Sequence, residues 1–329
     1  MAMTFFRPSS PRRRITISAI LALAAAVVGI VVYFTLPAMQ PSGDAAKGPV
    51  RDAVTDAVDL EKRIAAFTQS FGERGGYRIP TERERRTVAG GVALVLDGRM
   101  EEAGAKLAEV DFAVQSIKDS VSGHRYAEVA DAAARSDGAN RGWGRVYVHL
   151  DAKPAWIVQV PHPVADQNTE RLGAQVLRGA PGGVLVLAGA HRNAADGGAA
   201  DVAHRTDSVF HDVIGELMSR RLPGLQLHGF ANSSIPEFDA VVSTGAGDRA
   251  VNEAKLLSRE LDERGLDVCR AYTRKCRLSG ASNEQGLVAA EERLGFLHLE
   301  ISRRNRISDG RLGEVAEAIG VLTQRWAKG

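Results

Sequence analysis

From residue 142 onward, short apolar runs alternate with helical patterns, and that alternation leaves the chain few folds to choose from. The runs are GRVYVHL, AWIVQV, GGVLVLAG, LQLHGF, DAVVSTG and FLHLEIS. Amphipathic stretches at 209–221 and 249–264 separate the later runs, and another at 312–326 ends the pattern. Strands alternating with helices predict an α/β domain, 142–329, with a mostly parallel sheet flanked by helices. Ligands of such sheets bind beyond the carboxyl ends of the strands. GRVYVHL and AWIVQV, joined by Asp151-Ala152-Lys153-Pro154, read as a β-hairpin.

The preceding stretch, 50–141, reads as helical. Apolar residues recur at helical spacing over 50–71, Gly75-Gly76 breaks the pattern, and helices are expected over 81–96 and 100–117. Nearer the start, residues 15–36 are an uncharged apolar run after Arg12-Arg13-Arg14. Its 22 residues meet the roughly 20 needed to cross a bilayer. Arginines on its N-terminal side place residues 1–14 in the cytoplasm and the rest outside. The run ends in TLPAMQPSG, a poor cleavage site, so an uncleaved, single-pass signal anchor in the cell membrane is expected over a cleaved signal. Residues 37–49, rich in Pro, Gly and small side chains, form the linker. The only cysteines are Cys269 and Cys276. In an exported chain such a pair is expected to close a short disulfide loop. A net charge of +2 predicts no partner, and the clearest basic cluster, Arg12-Arg13-Arg14, is explained by the anchor, so no nucleic-acid binding is expected.

The runs share a feature at their ends. His162 follows WIVQVP, His191 follows VLVLAG, His228 ends LQLH, and Glu300 lies near the end of FLHLE. In a parallel sheet these ends converge. Zinc takes imidazole nitrogen and carboxylate oxygen, and a catalytic site uses three protein ligands. A further carboxylate then shuttles the proton. Asp166 and Glu170 both follow His162; Asp166 falls in the turn beside it, and Glu170 in the first turn of a helix, where acids are favourable anyway. His191 competes as a ligand. Arg192, His204 and Arg205 are candidates to hold a substrate carboxylate. STGAGDRA, after a strand and before a helix, reads as a tight turn rather than a dinucleotide fingerprint, because it comes late in the domain.

HPVADQNTE resembles the first metal motif of the N-formylglutamate amidohydrolase and poly-γ-glutamate hydrolase group, within the zinc carboxypeptidase-like α/β hydrolases. LQLHGF looks like the strand carrying that group's second histidine ligand, and FLHLEIS like the strand carrying its catalytic glutamate. The resemblance spans about 143–302. It implies zinc held by His162, Asp166 and His228, with Glu300 as general base. Carboxypeptidases proper place a glutamate three residues after the histidine, where this chain has Ala165. The implied activity is hydrolysis of an amide bond in a small peptide, a γ-glutamyl polymer or an N-acyl amino acid. The competing expectation is an anchored binding or scaffold protein that kept the fold without the catalysis.

Overall fold

The computed structural model describes residues 57–132 and 140–329. The basic segment 1–14, the anchor expected at 15–36 and the linker 37–49 lie outside them. Among the described residues no helix is long and apolar enough to cross a membrane.

A ten-stranded sheet organises the described chain. In chain order the strands are β1 (Ala57–Val58), β2 (Phe112–Asp119), β3 (Arg125–Asp131), β4 (Arg145–His149), β5 (Trp156–Val160), β6 (Gly183–Leu187), β7 (Gly224–Phe230), β8 (Ala240–Ser243), β9 (Val268–Arg270) and β10 (Phe296–Ser302). Across the sheet they run β1-β2-β3-β4-β6-β5-β7-β10-β8-β9. The centre, β6-β5-β7-β10, is parallel. Toward one edge β2, β3, β4 and β6 pair antiparallel, and β8 runs antiparallel to β10. The outermost pairs, β1-β2 and β8-β9, are parallel again, so the sheet is mixed, with five of its nine pairings parallel.

The expected hairpin between β4 and β5 is absent, because β6 lies between them. Both β5 and β6 are buried along their whole length. Two such runs are most stable side by side in the covered centre of a sheet, which moves β4 outward. The helical region is also shorter than expected. Its helices are α1 (Leu60–Thr68), α2 (Glu82–Leu96) and α3 (Met100–Ala108), and residues 112–131 are strands β2 and β3 of the same sheet. Asp111, at φ 56°, turns the chain out of α3; Asp tolerates this left-handed conformation better than most residues. No structural boundary falls near residue 142, since β3 pairs directly with β4.

Helices cover both faces. On one, α1, α4 (Thr169–Gly179), α6 (Val251–Asp262) and α9 (Asp309–Lys328) pack on Val158, Val160, Leu225, Leu227, Leu297 and Leu299. On the other, α2, α3, α5 (Val209–Ser219) and α7 (Glu284–Glu291) pack on Val146, Ile157, Val184, Val186 and Phe296. A short helix, α8 (Arg303–Arg306), follows β10.

The second face is not apolar throughout. Side chains alternate across a strand, so Gln159 of β5, Gln226 and His228 of β7, and His298 and Glu300 of β10 share it. The parallel register sets Gln226 beside Gln159 and His298, and His228 beside Glu300. All five are buried. The disulfide Cys269–Cys276 is formed, and STGAGDRA is the turn from β8 toward α6.

Candidate metal centre

Three elements bring the expected ligands together. His162 and Asp166 lie in the turns between β5 and α4, and His228 lies on β7. Asp166 Oδ2 is 3.3 Å from His162 Nδ1 and 3.2 Å from His228 Nδ1. The two imidazole rings meet edge to face at 4.8 Å. All three residues are buried.

The other nitrogen of each ring is tied elsewhere. His162 Nε2 is 2.7 Å from Asp201 Oδ1, a carboxylate that can only accept. For His228 a chain of amides fixes the tautomer. Gln285 Nε2 donates to the backbone carbonyl of Val202 at 3.0 Å, so its Oε1 faces inward. That oxygen accepts from Gln226 Nε2 at 3.0 Å. Gln226 Oε1 is thereby turned to His228 Nε2 at 2.9 Å, which donates to it. Asn283 Nδ2 shares the same oxygen at 2.6 Å. Asn283 stands at the N-cap of α7 but makes no cap bond; its side chain serves the histidine instead. Both rings therefore aim Nδ1 at one carboxylate oxygen.

Three acceptor atoms facing one another need a cation or a proton between them. Burial disfavours a charge on either ring. His228 is pushed down to about 4, against the pull of Asp166, and is neutral at physiological pH. For His162 the hydrogen bonds to Asp166 and Asp201 outweigh burial and raise its pKa. Burial would raise Asp166, but its bonds to the two histidines hold it well below the usual carboxylate range. Without a metal, the proton on His162 Nδ1 balances the site. Two imidazole nitrogens and one carboxylate oxygen, each outer nitrogen anchored by a second group, are a donor set that suits zinc.

Glu300 adjoins this set as the register neighbour of His228. Its Oε2 is buried and has no hydrogen-bond partner among the described residues. Burial, with Asp166 adding to it, pushes its pKa well above the ordinary carboxylate value. His298 lies 3.8 Å from Glu300 Oε1 and stacks on His228 at 4.6 Å.

A cavity of about 510 Å³ opens onto the cluster. His162, His228, His298, Glu300, Arg192 and His204 line it, with residues 278–283 forming one wall. Arg192 bonds Asp201 Oδ2 through Nη2, and its Nη1 is 3.5 Å from His162 Nδ1. His204 Nδ1 is 3.2 Å from Asp201 Oδ1.

Two expected residues are not brought here. Arg205 pairs with Asp207 at 2.8 Å and does not line the cavity. His191 belongs to none of the clusters with metal-ligand spacing among the described residues; its Nδ1 accepts from the Asn193 amide. Between the two candidate acids, Asp166 joins the histidines, whereas Glu170 turns its carboxylate to the Val164 amide at 3.4 Å. Asp201, Gln226 and His298 were not singled out as site residues. For the last two a signal exists, polar residues at every second position of otherwise apolar strands. Asp201 lies in a glycine-rich stretch that reads as surface loop.

No protein-family model and no curated protein matches the sequence. Solved structures do. An N-formylglutamate amidohydrolase from Ralstonia eutropha JMP134 matches at 16% identity and a TM-score of 0.38, over 54% of this chain and 94% of that one. An aspartoacylase family protein from Mesorhizobium loti matches at 12% identity and 0.36, over 63% of this chain and 67% of that one. A metallo-carboxypeptidase from Pseudomonas aeruginosa matches at 15% identity and 0.34, over 56% of this chain and 61% of that one. The structures it resembles include N-formylglutamate amidohydrolase, aspartoacylase and metallo-carboxypeptidase-like proteins. At these identities and TM-scores they are distant.

Proposed function

We propose that the chain is a zinc-dependent hydrolase of amide bonds, with His162, Asp166 and His228 as ligands and Glu300 as the proton carrier. One observation carries the reading: two imidazole Nδ1 atoms converge on Asp166 Oδ2, at 3.3 and 3.2 Å, while their outer nitrogens are occupied. A zinc ion bound there supplies Lewis acidity toward a carbonyl and toward water. Glu300 accepts the proton of the attacking water at its carboxylate and returns it to the departing amine. Burial raises its pKa, which favours uptake of the proton that general acid–base catalysis passes on.

Arg192, a cation, and His204 line the cavity wall. They support a substrate bearing a carboxylate, such as a small peptide or an N-acyl amino acid. The amide class itself comes from the HPVADQNTE resemblance. Membrane anchoring through residues 15–36 and an extracytoplasmic site belong to the same proposal, and the Cys269–Cys276 disulfide supports an oxidising compartment.

The test is elemental analysis of the full chain, purified without added zinc or a histidine tag. About one zinc per chain is expected from the donor set, lost in His228→Ala, with amide hydrolysis lost alongside it. A wild-type chain that takes up no zinc when it is offered would leave a non-catalytic binding protein as the better account.

A further inference from the structure

We infer that Arg306 is a positioning residue for Asp166, a clamp that holds the ligand loop 162–168 against the strand ends. The inference rests on the metal reading above.

The loop needs holding. Val164 and Asn168 both adopt φ 69°, a left-handed conformation that residues other than glycine rarely adopt and that β-branched side chains avoid. Arg306, on α8, is buried and spends its guanidinium on backbone carbonyls. Nη1 donates to the carbonyls of both Asp166 and Gln167. Nε donates to Ile301 O at 3.0 Å, at the end of β10, and Nη2 to Phe230 O at 3.3 Å, at the end of β7. One side chain thus ties the loop to the two strands that carry His228 and Glu300. Asn168 Nδ2 returns a bond to the Arg306 carbonyl at 2.8 Å.

Two further observations point the same way. Among the described residues no carboxylate lies within ion-pair distance of Arg306, although a buried arginine is ordinarily paired. The strand beneath it is bare by necessity: a Cβ on Gly229 would meet the guanidinium carbon at 2.2 Å. Asp166 is consequently held by its carbonyl on one side while its carboxylate faces the imidazoles on the other. Arg303 gives a contrast. Among the described residues its side chain bonds only that of Gln167, at 3.1 Å and at the surface.

The experiment uses the full chain and reads zinc affinity by competition with a chromophoric chelator, together with the visible spectrum of the cobalt-substituted protein. Arg306→Lys keeps the charge but cannot span the four carbonyls. It is expected to weaken zinc about 10- to 100-fold, the range for groups that orient ligands, and to alter the cobalt bands. Asn168→Gly suits the backbone and removes only the returning bond, so about a three- to tenfold loss is expected. Arg303→Ala is expected to change neither readout. Variants that fold, melt lower, yet keep an unchanged cobalt spectrum and zinc affinity within about twofold, below the loss typical of groups that orient ligands, would overturn the inference while leaving the metal reading intact. If Arg306→Lys fails to fold, Asn168→Gly decides alone. Absence of zinc binding in the wild type would instead overturn the metal reading.

Discussion

Two buried carboxylates on the one sheet are treated in opposite ways. Glu128, on β3, is 0% exposed and fully surrounded by donors. Arg63 grips it through two nitrogens at 2.8 and 2.6 Å. Arg145 and the Tyr147 hydroxyl donate at 3.0 Å each, and Gln115 at 2.6 Å. Although burial works against the charge, these donors, Arg63 foremost, bring its pKa down to about 2. Glu300, on β10, is 7% exposed and keeps an oxygen with no partner among the described residues. Its pKa moves the other way. A carboxylate placed for stability is saturated; one placed for chemistry is left with capacity to take a proton. Fold stability alone would not retain the second arrangement, because an unsatisfied buried group is costly.

Glu300→Gln tests the contrast most severely. Loss of the proton carrier is expected to lower kcat for amide hydrolysis by about 10²- to 10⁴-fold, with zinc content unchanged. The metal-free variant is expected to melt higher than wild type at neutral pH, since it no longer buries an ionisable carboxyl. Glu300, with its raised pKa, contributes stability below about pH 4.3, where it is protonated in both states. That contribution is lost as pH rises through the folded value. Full activity in Glu300→Gln would end the case for this residue as a carrier.

Glu128→Gln should do the reverse. Removing one partner of a buried ion pair typically costs about 3 kcal/mol or more, so a clear drop in Tm is expected with zinc affinity untouched. The pH sign also reverses. With a folded pKa of about 2, Glu128 contributes stability above its unfolded pKa and loses it as pH falls toward 2. An acid titration of the wild type should therefore show a loss in that window that the variant lacks. If Glu128→Gln instead melted like the wild type but lost zinc, the division between the two carboxylates would be wrong.

What the sequence made legible follows from this difference. His162, His228 and Glu300 were legible because each breaks or ends an apolar run, and strand ends converge on one edge of a parallel sheet. All six apolar runs from residue 142 onward are strands, and were legible for the same reason. The hairpin was not, because β4 and β5 are adjacent in sequence and turn chemistry cannot reveal that β6 inserts between them. Strand β2 was hidden because Val110, Val114 and Ile117 keep a helical spacing across Asp111, although the backbone angle there ends the helix. Asp201 was hidden for a different reason. It acts through the fold of a loop, where no periodicity marks which acid of Asp196, Asp201 and Asp207 will meet a histidine 39 positions away. Arg306 was equally hidden, since its partners are backbone carbonyls that every residue possesses.

The finest test of the contrast lies farthest from the reacting atoms. Gln285 touches neither proposed ligands nor cavity, yet the backbone carbonyl of Val202 fixes its amide and, through Gln226, the tautomer of His228. Gln285→Met preserves volume and removes the relay. Gln226 is then held only by Gln159 and Asn283, and a larger share of His228 rings can carry the proton on Nδ1, the nitrogen that faces Asp166. Each such ring must shift its proton before binding, so zinc affinity should fall by about three- to tenfold, at or below the lower end for groups that orient ligands. The orphaned Val202 carbonyl should cost a further ~1–2 kcal/mol of stability. Stability lost with affinity retained would mean that Asn283 and Gln226 suffice to set the tautomer. The buried amides would then belong with Glu128, among groups saturated for the sake of the fold.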